Sequence, residues 1–347
     1  MPVRVALDTA GREPGCRTVI SGVLAAIEEA GTQGVDVHPV LYGSSDEIRE
    51  ILRELAGSSM AEETVLVRNA PEVIEMNEEP AEALRTKPNS SILCGIKDLS
   101  AGVVDAFVSM GNTGAIVGAS RAFLKQVRWI GKPALAVPMP RTGGGHSLLL
   151  DVGASPDPKP GHLMQFAAMG TAYMSTLYDV SNPRIGLLNI GVESHKGDER
   201  ARDTFKLLSR SPLNFIGNIE GGDIFSDKAD VIITTGFVGN ILLKFTESIP
   251  SFLGRLNCPD GSVLGAIEAM AQFDYRRYGG ASLLGVDGTV VIGHGRSSSE
   301  AVTHAVRWAG KLVNRDMLSS LRDQVFRTRR AVWLSNPFSR GEGADDT

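Results

Sequence analysis

Short runs rich in Val, Ile and Leu, each bounded by Gly, Pro, Asn or Asp, alternate along this chain with segments of helical period. Runs that are apolar at nearly every position read as strands buried on both faces, the mark of parallel pairing. They fall at Val3 to Leu7, Val35 to Leu41, Thr64 to Arg68, Asp105 to Ser109, Ala134 to Val137, Ser147 to Val152, Arg184 to Ile190, Asn214 to Gly217, Val231 to Thr234 and Val290 to Ile292. Between them, Thr18 to Ala30, Asp46 to Ala56, Ala115 to Val127, His162 to Leu177, Glu199 to Leu208 and Ser298 to Val313 carry apolar residues at helical spacing. Such alternation predicts an α/β fold with an open, doubly wound, mostly parallel sheet in an α/β/α arrangement. Ligands of such sheets bind outside the carboxyl ends of the strands.

Two stretches depart from that rhythm. Leu149 to Ala154, behind Arg141-Thr142-Gly143-Gly144-Gly145-His146, reads as an antiparallel hairpin, because a turn so rich in glycine implies positive φ. Lys244 to Tyr275 reads as two helices joined at Cys258-Pro259-Asp260-Gly261. The 347 residues are therefore expected to form a single α/β domain over 1–335, with a helical hairpin at about 244–277 and a disordered polar tail over 336–347.

Three glycine-rich stretches follow predicted strands: Gly111-Asn112-Thr113-Gly114, Lys196-Gly197 and Gly236-Phe237-Val238-Gly239-Asn240. A strand that ends in such a turn and opens a helix points several backbone N–H groups at one spot, which suits a phosphate. The first stretch is either such an anion cradle or a tight strand-to-helix turn. Lys196 is either a phosphate-binding point charge or a solvated loop residue. Asn240, with Lys244 four residues on and hence on the same helix face, either donates to a developing oxyanion or caps the helix. His294, between Gly293 and Gly295, either meets phosphate or bonds the loop backbone.

Other chemistries find less support. The chain has no G-x-S-x-G elbow, Walker A or G-x-G-x-x-G pattern, and its six histidines lack metal-type spacing, so neither a metal nor a cofactor is expected. Cys16, Cys94 and Cys258 are odd in number and far apart, and read as free thiols. A net charge of −5 argues against general nucleic-acid binding. No run approaches the roughly 18 uncharged apolar residues of a membrane span, and Met1-Pro2-Val3-Arg4 leads straight into a strand, so a cytoplasmic protein is expected.

The motifs gain meaning in their order. Pro80-Ala81-Glu82-Ala83-Leu84-Arg85, Phe107 to Ala115, Leu150-Asp151-Val152-Gly153-Ala154, Gln165 to Gly170, Leu188-Asn189-Ile190-Gly191 with Lys196-Gly197, Gly236 to Asn240, Tyr278-Gly279-Gly280-Ala281 and Gly293-His294-Gly295 succeed one another. This series resembles the bacterial PlsX family of phosphate acyltransferases, from about Val3 to about Val313. The resemblance implies conversion of long-chain acyl-acyl carrier protein and inorganic phosphate into acyl phosphate, the donor for the first acylation of glycerol 3-phosphate. It also implies a homodimer and a sheet similar to those of phosphotransacetylases and isocitrate-dehydrogenase-like folds. On the matching positions it implies catalytic roles for Lys196 and Asn240. Substrate and phosphate contacts would come from Asp8, Gly111, Asn112, Thr113, Gly114, Gly191, Gly197, Gly236, Gly239 and His294.

Because such a carrier is acidic, Arg121, Lys125 and Arg128, spaced four and three apart, are expected to share one helix face as a docking patch. Some positions depart from the family pattern: Arg12 and Glu13 after Asp8, then Ser155, Thr235 and Arg296. These changes leave room for a coenzyme A thioester as donor, or for a paralogue that binds the carrier without turnover. The segment from Lys244 to Tyr278 is short for the family and keeps only Arg276-Arg277 as a basic pair, so weak or no membrane-surface association is expected.

Overall fold

In the computed structural model, which describes residues 2–10, 15–33, 35–56, 64–254, 279–293 and 297–335, the apolar runs pair into one 11-stranded sheet. Its strands are β1 (Val3–Asp8), β2 (Val37–Gly43), β3 (Leu66–Asn69), β4 (Ala106–Ser109), β5 (Ala134–Pro140), β6 (His146–Leu150), β7 (Ile185–Leu188), β8 (Phe215–Ile219), β9 (Val231–Ile233), β10 (Ala281–Leu284) and β11 (Thr289–Ile292). They lie in the order β3-β2-β1-β4-β11-β10-β5-β6-β9-β7-β8. The described helices are α1 (Cys16–Gln33), α2 (Ser45–Ala56), α3 (Pro80–Thr86), α4 (Ser91–Ser100), α5 (Thr113–Phe123), α6 (Pro160–Leu177), α7 (Glu199–Ser209), α8 (Gly236–Gly254), α9 (Ser299–Asn314) and α10 (Met317–Ser335). The mostly parallel, helix-covered sheet agrees with the expected fold class.

Strand direction is where the sheet differs from the sequence reading. Pairing is parallel throughout β3-β2-β1-β4-β11 and again throughout β6-β9-β7-β8. Between these halves, β11–β10, β10–β5 and β5–β6 are all antiparallel. Three reversals in succession leave the halves pointing opposite ways. The expected β5–β6 hairpin is present, with Gly144 and Gly145 at φ 88° and 75°. Strand β10 was not expected, because its four residues stand directly behind the positive-φ pair Gly279-Gly280 and read as part of a turn.

Register brings the two sets of carboxyl ends together. One row of Cα partners crosses the sheet through Leu7, Val108, Val291, Ser282, Ala136, Leu150, Ile233 and Leu187. Leu7, Val108, Val291 and Leu187 are the penultimate residues of their strands, and Leu150 and Ile233 are the last of theirs. The loops after β4 and β11 therefore leave the middle of the sheet where those after β6 and β9 also begin.

The pleat sorts side chains onto two cores. Val108, Ala136, Leu150 and Ile233 face α1, α2, α6, α7, α9 and α10, whose Val19, Leu52, Phe166, Leu208, Val302 and Leu321 close that side. Phe107, Leu135, Leu149 and Ile232 face the opposite side, where α3, α4 and α5 supply Ala83, Ile92 and Ala115 and α8 supplies Leu242 and Leu243. On this second side Leu135, Val137, Ala281 and Ile292 form the floor of an open cleft between α5 and α8.

Two helix boundaries depart from expectation. Helix α5 ends at Phe123, whose carbonyl accepts from Ser100 Oγ (2.8 Å), and the following chain turns to pair with the end of β10 through Val127 N–H and Gly285 O (3.0 Å). Lys125 has φ 63°. Arg121, Lys125 and Arg128 thus do not share one helix face, which corrects that part of the expectation. Arg128 instead stacks on one face of Trp129 (4.5 Å), with Arg329 also over that ring (4.6 Å). Helix α8 begins at Gly236 rather than near Lys244; the remainder of the expected hairpin, residues 255–278, lies outside the described residues, as does the tail 336–347.

Phe107 is fully buried beneath α4, its ring against Gly95. Phe107→Ala is expected to lower stability by about 3–5 kcal/mol. Urea unfolding that finds a loss below about 1 kcal/mol would show that α4 does not depend on this ring.

Candidate active site

The left wall of the cleft is built at the end of β4. Asn112 is the N-cap of α5: its Oδ1 accepts from Ala115 N–H (3.0 Å), while its Nδ2 donates to the carbonyls of Glu75 and Glu78 (both 3.1 Å). The Asn112 side chain is buried and fully engaged, so it shapes the turn. The N–H groups of Thr113 and Gly114 belong to the helix end that α-helical bonding leaves open. Asp8, at the end of β1, accepts from Ser91 Oγ and Ser109 Oγ (both 2.6 Å), and Ser109 Oγ in turn accepts from Gly111 N–H (3.0 Å). Asp8 therefore reaches the glycine turn through Ser109. Burial pushes its carboxyl above the usual carboxylate range, against the pull of Ser109, Ser91 and Ala10 N–H.

Asp151 organises the right wall. Its carboxylate is fully buried and accepts four backbone N–H groups, those of Leu135 (2.8 Å), Gly153 (3.0 Å), Ala154 (3.0 Å) and Ser155 (2.7 Å). Burial raises the pKa of this group, and the four donors oppose that rise. The turn so formed receives α8: Gly236 N–H donates to Ser155 O (3.0 Å), and a side chain at Gly239 would overlap the Asp151 carbonyl. Ser155 Oγ donates to Pro133 O (2.8 Å) and so is part of the same scaffold. Thr235 Oγ1 accepts from Val238 N–H (3.3 Å), as a cap does. Asn240 lies within the helix, so the capping alternative for it is excluded.

These two walls face each other across about 260 Å³ lined by Thr113, Gly114, Gly153, Asn240 and Lys244. Asn240 and Lys244 are both exposed, one helical turn apart. Open N–H groups, a carboxamide and an ammonium that meet above an apolar floor can hold an anion and stabilise charge that develops beside it. Lys244 was legible as the helix-mate of Asn240. Asp151 was legible only as a motif member, since nothing local says that an acid will be buried under four N–H groups.

Lys196 and its neighbours take the opposite flank of α8. The loop after β7 is held by Asn189, whose Nδ2 donates to Lys196 O (3.1 Å) and whose Oδ1 leaves no room for a side chain on Gly197, at φ 86°. Gly191 packs beneath the Lys196 side chain. Gly197 and Asn189 line a second cavity of about 420 Å³ with Thr234, Thr235, Val238 and Leu242. The structure thus places Thr113, Gly114 and Asn240 on the cleft, keeps Gly111 and Asn112 in the turn behind them, packs Gly236 and Gly239 against the Asp151 turn, and sets the loop that holds Gly191, Lys196 and Gly197 beside the second cavity. His294, Arg12, Glu13 and Arg296 lie outside the described residues.

Burial pushes the Cys16 thiol up to about 11 and also raises that of Cys94, and among the described residues no group of three or more His, Cys, Asp or Glu side chains is placed to hold a metal ion.

Residues 3–320 match the family model described as fatty acid synthesis protein. The chain is 39% identical over 336 residues to a phosphate acyltransferase of Desulfitobacterium hafniense, covering 93% of this chain and 98% of that one. It is 36% identical over 338 residues to a phosphate acyltransferase of a Geobacillus species, with 93% and 98% covered. Among solved structures it is similar in fold to a phosphotransacetylase from Streptococcus pyogenes (TM-score 0.60, 15% identity, 90% and 94% covered). A branched-chain phosphotransacylase from Enterococcus faecalis is also similar (TM-score 0.56, 12% identity, 90% and 99% covered).

The raised pKa of Asp8 carries a pH prediction. Between the usual carboxylate value and the raised one, the folded state binds more protons than the unfolded state, so this group makes stability fall as pH rises through that window. The stability of the wild type relative to Asp8→Asn is expected to fall as pH rises above the ordinary carboxylate value of about 4. Urea titrations across that range showing a difference that rises with pH would reverse the assignment.

Proposed function

The chain belongs to the PlsX family of phosphate acyltransferases, and we propose that its cleft joins inorganic phosphate to the acyl group of a long-chain thioester borne by acyl carrier protein. The observation that carries this reading is the convergence of Thr113 and Gly114 at the start of α5 with Asn240 and Lys244 on α8. Phosphate is already an anionic nucleophile at neutral pH, so positioning and charge stabilisation suffice. The N–H groups of Thr113 and Gly114 and the Lys244 ammonium hold the phosphate. One of its oxygens bonds to the thioester carbon, and the tetrahedral oxyanion takes a hydrogen bond from Asn240. The C–S bond then breaks, the thiolate leaves as the carrier thiol after taking a proton, and acyl phosphate remains.

The product is an activated acyl group suited to transfer onto a hydroxyl, as in the first acylation of glycerol 3-phosphate. Phe237, Ile241, Phe245 and Phe252 leave an apolar stripe exposed along α8, which supports a homodimer. None of the described helices is long and apolar enough to cross a membrane.

Incubation with hexadecanoyl-carrier protein and phosphate, with hydroxylamine as trap, is expected to give acyl hydroxamate only when phosphate is present. Asn240→Ala should lower kcat by about 100-fold. Lys244→Met should raise the KM for phosphate by about tenfold with less effect on kcat. Carrier binding without phosphate-dependent product would make the chain a binding protein. A strong preference for coenzyme A thioesters would assign the donor differently.

A further inference from the structure

Toward an anion, the cleft offers mainly donors. The open N–H groups of Thr113 and Gly114 and the Lys244 ammonium cannot accept a hydrogen bond, and Asn240 and the Thr113 hydroxyl, which can, are uncharged. Donors of this kind hold any tetrahedral oxyanion of the right size, phosphate and sulfate alike. The cleft has one further polar group. Glu247, half-buried, lines the same space of about 260 Å³, and among the described residues it and Lys244 are the charged side chains of that lining.

Asn240, Lys244 and Glu247 stand at i, i+4 and i+7 and so form one stripe along α8, across the cleft from the start of α5. Residues three apart on a helix have Cβ atoms about 5–6 Å from each other, so Lys244 and Glu247 can reach two oxygens of one small anion. Glu247 is also engaged within the protein, but an ionised carboxylate has about four acceptor sites and retains capacity for a ligand. Whatever it accepts from must carry a hydrogen. At neutral pH inorganic phosphate keeps a proton on at least one oxygen, whereas sulfate is fully ionised. A P–OH group can therefore donate to Glu247 while the ionised oxygens of the same molecule meet the N–H groups and Lys244. Sulfate, with no hydrogen to give, sets bare negative charge against the carboxylate, above an apolar floor where repulsion is poorly screened.

We infer that Glu247 selects phosphate over sulfate by accepting a hydrogen bond from the protonated oxygen, an assignment that rests on the reading above in which the cleft holds inorganic phosphate. The same bond turns the ionised oxygens toward the donors and the thioester. Acyl transfer is measured against phosphate with sodium sulfate as inhibitor, ionic strength being held constant with chloride. In the wild type the inhibition constant for sulfate is expected to exceed the KM for phosphate by at least about a hundredfold, and Glu247→Gln should narrow that ratio at least about tenfold. A Glu247 that merely pairs with Lys244 would change the binding of both anions together, so an unchanged ratio in Glu247→Gln overturns the assignment even though acyl transfer stands. Arsenate, which like phosphate keeps a proton on oxygen, tests it without a substitution. In the wild type it should compete with phosphate at least about tenfold better than sulfate does, and equal competition by the two overturns the assignment as well. Should the wild type turn over no thioester, the acyl-transfer reading fails, and calorimetric titration with phosphate and with sulfate tests the site by itself. A preference for phosphate that Glu247→Gln abolishes then supports the assignment, and equal binding of the two anions, or none, removes it.

Discussion

Everything at the cleft depends on two parallel half-sheets that run in opposite directions and still end on the same row. In a sheet of one direction, loops at the carboxyl ends leave by a single edge. Here β10, β5 and β6 reverse direction three times, and the register aligns Val108 of one half with Leu150 and Ile233 of the other. The loop after β4 and the helix after β9 are thereby brought to either side of the same central strands. Without that register Thr113 and Asn240, far apart in sequence, would belong to separate surfaces.

Two buried carboxylates then give each wall its shape. Asp8 and Asp151 stand at or just beyond strand ends, and each is turned into the protein, Asp8 toward two hydroxyls and Asp151 toward four N–H groups. Glu247, which does line the cleft, stands on α8 three residues beyond Lys244, whereas an acid aimed at the open N–H groups of Thr113 and Gly114 would repel the anion that they attract. Directed inward, the same charge orders backbone turns at the distance of one residue from the ligand space. This arrangement also explains why Ser155 is compatible with the fold, since its backbone N–H and its hydroxyl both bond within the scaffold around Asp151.

Helix α8 divides polar from apolar space because its period places residues three, four and seven apart on one face. One face offers Asn240 and Lys244 to the cleft, another offers Val238 and Leu242 to the second cavity, and a third leaves aromatic side chains exposed. The glycines at 236 and 239 allow its first turn to lie against the Asp151 turn, so the partition stands where the two half-sheets meet.

Much of this was legible in the residues themselves. The apolar runs named nearly all the strands, the glycine turns marked the walls of the cleft, and the motif order identified the family, because strand burial, turn geometry and short motifs are local properties of the chain. What the tertiary structure alone decided is non-local. The opposite directions of the half-sheets required β10, whose four residues say nothing of their partners. The end of α5 at Phe123, which separates Lys125 and Arg128 from Arg121, was set by Ser100 and Gly285. The place of Lys196 across α8 from Asn240, and the inward turn of Asp8 and Asp151, follow from which backbones the sheet brings together. Hydrogen-bond partners and burial are determined by contacts between distant segments, and no spacing along the chain encodes them.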